Sequence, residues 1–284
     1  MPDNKPPTKP PAKPPFPSAL QAGLLLLAAL VLQQLVGAAL YDFRETLGLS
    51  LEQMTVLITV LADGIVIAVA MQMQGVGYRD VIHPDRSSLL PTLVLVVPAV
   101  LLLTPLLLLL NSVLFTGLQA VLPLSDYEAR AFTELHEPTL SMALMVCVVA
   151  PVVEELLFRG VLLRGFLQRY PRGLAIGYSA LYFGVAHLNI YQFCLAFLLG
   201  LLLGLLYERG RSLMPCIALH AAFNTIGFVL GNSGETASDA AGSAATESAM
   251  ASGASGATLL WLTALIAAAI GALALQKLLG LWRR

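Results

Sequence analysis

Long apolar blocks separated by short polar stretches dominate the chain, at 19–40, 54–73, 88–111, 139–162, 173–190, 191–207, 213–231 and 258–280. A membrane-spanning helix needs ~20 consecutive, mostly apolar residues. The pattern predicts an all-α fold, a polytopic membrane bundle of about eight transmembrane helices. Two polar stretches break it. Residues 1–18, "MPDNKPPTKPPAKPPFPS", are Pro-rich and predict a solvated, disordered cytoplasmic tail. Residues 232–257, "NSGETASDAAGSAATESAMASGASGA", are small, polar and low in complexity, and disorder is expected there too. The helical domain is then 19–284, with the last helix set apart by that loop.

Composition agrees with a membrane solvent. Hydrophobic residues make up 57% and charged residues 12% of the 284-residue chain, against roughly 25% charged in ordinary soluble domains. The net charge of −1 gives no electrostatic case for a nucleic-acid partner. Cys147, Cys194 and Cys216 all lie in apolar blocks, so no disulfide framework and no C-x-x-C metal spacing is present. No internal period suggests a solenoid.

Charge placement sets orientation, because Lys and Arg accumulate in cytoplasmic loops. With the N-terminus cytoplasmic and eight alternating spans, fourteen of the sixteen Lys and Arg fall inside. Only Arg44 and Arg130 fall outside. Both termini are therefore expected on the cytoplasmic side, with 112–138 and 232–257 as outer loops. An integral, multi-pass protein of a prokaryotic plasma (inner) membrane is the expected setting.

Against this background "VVEELLFRG", Val152 to Gly160, is anomalous. A charged side chain at mid-bilayer costs at least ~2.5–3.5 kcal/mol on insertion scales. Glu155 and Arg159 stand four apart in the order that favours a helical ion pair, which leaves Glu154 without a local partner. His187 and His220 lie in two further apolar blocks, and Asn224 shares the helix face of His220. Phe183 stands in the same relation to His187. The proline after Tyr170 predicts a hairpin there, and Glu154 and His187 are equidistant from that break. His220 and Asn224 fall ~10–17 Å into their helix at ~1.5 Å per residue, near mid-membrane. A carboxylate, two imidazoles and an amide can converge.

Glu154-Glu155…Arg159, Phe183…His187 and His220…Asn224 resemble the EExxxR, FxxxH and HxxxN motifs of the CPBP family. That family comprises type II CAAX prenyl endopeptidases, bacteriocin-processing proteins and abortive-infection-like membrane proteases. The likeness covers about 140–231 and implies a catalytic core there. It implies an intramembrane endopeptidase acting on a membrane-associated protein or peptide, a prenylated protein being one option. Glu154 would be the general base for a water that His187 positions, and His220 and Asn224 the donors to the oxyanion. Glu155 and Arg159 would hold the helix, and Phe183 would pack. No cofactor is favoured, although Glu154, His187 and His220 can also be drawn as a three-ligand zinc set with an open position. A non-catalytic scaffold or immunity protein is the alternative, and a proton-coupled transporter a more distant one.

Two further features carry structural expectations. Asp63, mid-block in "LADGIVIA", needs a hydrogen-bond partner, either a backbone group or an Asn or Gln side chain on a neighbouring helix. The pairs Gly173…Gly177 and Gly200…Gly204 predict close helix packing.

Overall fold

The computed structural model describes residues 14–83, 89–232 and 253–281. Most of the Pro-rich tail and of the low-complexity loop lies outside the described residues, and with it the disorder expected there. Ten helices make up the described chain: α1 Ala19–Leu47, α2 Leu51–Gln74, α3 Tyr78–Ile82, α4 Thr92–Val121, α5 Asp126–Leu135, α6 Leu140–Arg169, α7 Arg172–Val185, α8 Ile190–Gly210, α9 Met214–Gly231 and α10 Gly253–Leu281. Seven of them are long and apolar enough to cross a membrane. This is an integral, multi-pass, all-helical membrane protein.

The helix ends follow local chemistry. Ser18, Ser50 and Ser125 each accept from the backbone N–H three residues on, while Gln21, Gln53 and Glu128 reach back to the cap. Such reciprocal caps satisfy two otherwise orphaned donors. Gly48 and Gly75 close α1 and α2 in the left-handed conformation, at φ 64° and 68°. Leucines such as Leu24, Leu35 and Leu262 are exposed on the outside of the bundle. Lipid is their expected neighbour.

The fifth predicted span is shorter than a full crossing. The block 173–190 forms a helix of only 14 residues, α7. At ~1.5 Å per residue it reaches ~21 Å, short of the ~30 Å hydrocarbon thickness. The chain turns at Ala186–Asn189, with Leu188 at φ 53°, and starts back as α8. The third span is longer than predicted. It runs from Thr92 to Val121, with a break at Leu102–Leu103, and shortens the outer loop accordingly.

Contacts sort the connections onto two faces. On one, Arg169 Nη1 donates to Pro15 O (3.1 Å), Gln74 Nε2 to Phe16 O (3.1 Å) and Val161 O (2.9 Å), and Leu213 N to Ile82 O (2.9 Å). Arg164 hydrogen-bonds Asp80 O on the same face. On the other face the Tyr191 hydroxyl hydrogen-bonds Leu122 O, and the Phe115, Phe132 and Tyr191 rings cluster. The grouping matches the alternation read from charge. Arg159 is fully buried and so leaves the inside count, which becomes thirteen against two.

One glycine pair behaves as expected and the other does not. A methyl group at Gly200 would sit 3.0 Å from Ala180 Cα, and one at Gly204 3.0 Å from Ile176 Cγ2. Gly173 and Gly177 face open space. Of these two pairs, the close approach of α7 and α8 therefore depends on the α8 pair, and Gly184 of α7 adds a further tight contact against Phe193 of α8. Gly200→Leu is expected to destabilise by about 1–3 kcal/mol through overpacking, while Gly177→Leu leaves the melting temperature of the detergent-solubilised protein near its parent value. Equal shifts for the two variants would contradict this packing.

Candidate active site

The site begins with a defect in α6. Its segment Met145–Val149 is a π-turn, in which the Ala150 N–H reaches back to Met145 O. In that register the next carbonyl, Val146 O, would be served by residue 151, but Pro151 has no N–H. Asn224 Nδ2 of α9 donates to Val146 O instead, at 3.0 Å. A proline and a π-turn thus create an acceptor, and that acceptor docks α9 beside α6. π-Turns inside α-helices occur frequently at functional sites.

One turn further on, Glu155 and Arg159 pair as their spacing predicts. Arg159 Nη1 donates to Glu155 Oε1 at 2.6 Å, and both side chains have 0% exposure. Arg159 Nη2 donates to Gly200 O of α8 at 3.3 Å. Its guanidinium lies 4.5 Å over the Phe183 ring of α7. One cation therefore touches three helices.

The sequence did not reveal the next link. His220 Nδ1 is 2.9 Å from Glu155 Oε1, and His220 Nε2 is 3.7 Å from Glu154 Oε2. A carboxylate held by arginine only accepts, so Nδ1 carries the hydrogen and Nε2 faces Glu154. Glu155 is both the arginine's partner and the group that orients His220. Glu154 is partly exposed and lines a cavity of about 370 Å³ together with His187, His220 and Asn224. His187 Nδ1 donates to Phe183 O at 2.8 Å, which leaves the lone pair on Nε2. The Phe183 ring stands edge-on to both imidazoles, at 5.2 and 5.6 Å. It packs, as expected, and it separates the two histidines.

All four proposed catalytic residues meet at one cavity. His136 joins them and was not singled out from sequence. It ends α5, lines the cavity and stacks on Phe228 at 6.3 Å. The signal was present, because Phe132…His136 repeats the spacing of Phe183…His187. In both, Nδ1 donates to the phenylalanine carbonyl at 2.8 Å. Asp63 finds the expected kind of partner in Gln33 of α1, whose Nε2 donates to Asp63 Oδ1 at 2.8 Å.

The fit to zinc is incomplete. His187 and His220 each have an outer acceptor on Nδ1, as metal-ligating histidines do. Yet no three His, Cys, Asp or Glu groups among the described residues converge tightly enough to hold a metal ion.

Comparison with known proteins falls on the same helices. Residues 136–226 match the family described as "Type II CAAX prenyl endopeptidase Rce1-like". The resemblance to the CPBP family holds. The match covers α6 to most of α9 and leaves α1 to α5 and α10 outside. An uncharacterized 24.3 kDa protein of Escherichia coli is 29% identical over 125 residues, 42% of this chain and 58% of that protein. The chain thus aligns with little more than half of that relative. No solved structure matches.

Removing one member of a buried ion pair strands the other, at about 3–5 kcal/mol. Glu155→Gln and Arg159→Met are each expected to lower the stability of the solubilised protein on that scale, with the double variant recovering part of the loss. A double-mutant cycle on thermal melts measures the coupling. Additive losses would mean that the pair is not coupled.

Proposed function

We propose that the chain is an intramembrane endopeptidase in which Glu154 activates water against a peptide bond. The observation that carries this reading is the line Glu154, His220, Glu155 and Arg159, which runs from the floor of one cavity into the closed core beneath it, with Asn224 and His187 on the cavity walls. A partly exposed carboxylate beside an oriented imidazole is a base with a proton partner in reach.

The step balances without a metal. Water attacks the scissile carbonyl carbon and its proton passes to Glu154. His187, with Nε2 as acceptor, holds that water. The tetrahedral oxyanion meets the second Nδ2–H of Asn224, the first being spent on Val146 O. One such donor is typically worth ~2.7–4 kcal/mol. His220 donates through Nε2 when it carries both protons, and Glu155 supports that imidazolium from the other side, as the third member of a triad does. Collapse of the intermediate breaks the C–N bond, and the proton held on the Glu154–His220 pair goes to the leaving amine. The substrate would be a protein or peptide at or in the membrane, and the match to prenyl endopeptidases keeps a prenylated protein among the candidates. A prokaryotic plasma membrane remains the proposed location.

Glu154→Gln tests the base. Turnover should fall at least ~10²-fold, the lower end of what general-base catalysis contributes, with the melting temperature unchanged or raised. Near-normal turnover in this variant would sink the mechanism. The same variant should trap substrate, which a crosslinker can report. Exhaustive chelation should leave activity intact, and a loss restored by added zinc would overturn the metal-free scheme.

A further inference from the structure

We infer that the cavity takes its substrate from the non-cytoplasmic side of the membrane, so that the polypeptide cleaved is one whose scissile segment has already been exported. This rests on the hydrolytic reading above and adds to it the side of entry and the class of substrate.

The lining residues show where the cavity leads. Its floor is Glu154 and His220. Its far end is formed by Phe132 and His136 of the α5 region, Gln192 at the start of α8 and Leu230 at the end of α9. These are the ends of helices on the face that carries the Tyr191–Leu122 contact. No residue of the arginine-bearing face lines the cavity. Beneath the floor the bundle is closed. Glu155, Arg159, Leu162, Leu203, Cys216 and Leu219 all have no exposed surface.

The arginine-bearing face is the cytoplasmic one by charge. Arg164, Arg169, Arg172, Arg209 and Arg211 lie there with the N-terminal approach and the start of α3, while among the described residues the opposite face carries only Arg44 and Arg130. The outer rim is acidic, with Asp126, Glu128, Glu134 and Glu137 around Arg130. A segment presented at the arginine face meets a packed core. One presented at the outer face meets an opening that runs to Glu154.

Depth limits which bond is reached. From His220 to Leu230 is ten residues of α9, ~15 Å at ~1.5 Å per residue, or about half of the ~30 Å hydrocarbon layer. An extended chain covers that in about four or five residues at ~3.3 Å each. The bond cut should lie within about that many residues of the outer border of a membrane span.

Accessibility and cleavage test this separately. Cys147 and Cys194 are replaced by Ser, and Cys216, fully buried, is kept. Single cysteines are then placed at Gln192, at the mouth, and at Arg209, on the arginine face. A membrane-impermeant maleimide applied to intact cells should label the first and not the second. Labelling of position 209 alone would overturn the inference, whatever the activity. The second arm uses single-span reporters carrying a short randomised segment at the outer or the inner border of the span, expressed with the native chain or with Glu154→Gln. Glu154-dependent cleavage should be confined to the outer set. Cleavage of the inner set alone overturns the substrate assignment. Cleavage of neither set, with position 192 labelled from outside, overturns the hydrolase reading and the substrate class with it, while the orientation of the cavity stands.

Discussion

The ion pair of Glu155 and Arg159 is the interaction on which the rest of the centre depends. Two charges with no exposed surface are tolerable only when paired and hydrogen-bonded, and although Glu155 Oε2 and Arg159 Nε find no hydrogen-bond partner among the described residues, the remaining contacts reach three other helices. Arg159 takes Gly200 O on α8 and the face of Phe183 on α7, while Glu155 takes His220 on α9. Moving any of these helices would strand a charge in an apolar interior. The pair therefore fixes geometry, and Glu154, one residue away, inherits it. This explains how a site built from single residues on separate helices can hold its distances.

The same logic separates the two adjacent glutamates. They are chemically identical and differ only in direction from the helix axis. Glu155 points into the core with no exposed surface, and its Oε1 takes both the Arg159 and the His220 donor. Glu154 points into the cavity, is partly exposed and sits 3.7 Å from the outward nitrogen of His220. In the mechanism proposed above, environment and not residue type divides structural from reactive duty.

Much of this was legible in the sequence, and the reasons are specific. Charges in lipid are costly enough that Glu154, Glu155 and Arg159 stood out, and the i,i+4 spacing named the correct pair. The Tyr170–Pro171 break placed the α6–α7 hairpin, and the need of Asp63 for a partner anticipated Gln33. What escaped were features set by backbone register. Hydropathy cannot show that α7 stops after 14 residues, because the apolar run continues through the turn. Pro151 could be read as a perturbation, but not as the source of a π-turn that frees Val146 O for Asn224. The bond between Glu155 and His220 joins residues 65 apart, and no local spacing encodes it. Packing also distinguished Gly200 and Gly204 from Gly173 and Gly177, which share the same four-residue pattern.

The half-length helix α7 has a consequence for hydration. The last carbonyls of any helix lack intrahelical donors, and α7 ends well short of the outer border. Asn189 Oδ1 accepts from the N–H groups of Tyr191 and Gln192, and the His187 and Leu188 N–H groups donate to Gly184 O and Val185 O. Irregular backbone at membrane depth is tolerated only where protein or a water-filled cavity surrounds it. The turn that carries His187 opens on the cavity. Protein groups satisfy part of this turn and the cavity borders the rest, so the turn and the hydrolysis proposed above make the same demand on that space: polar surroundings, not lipid.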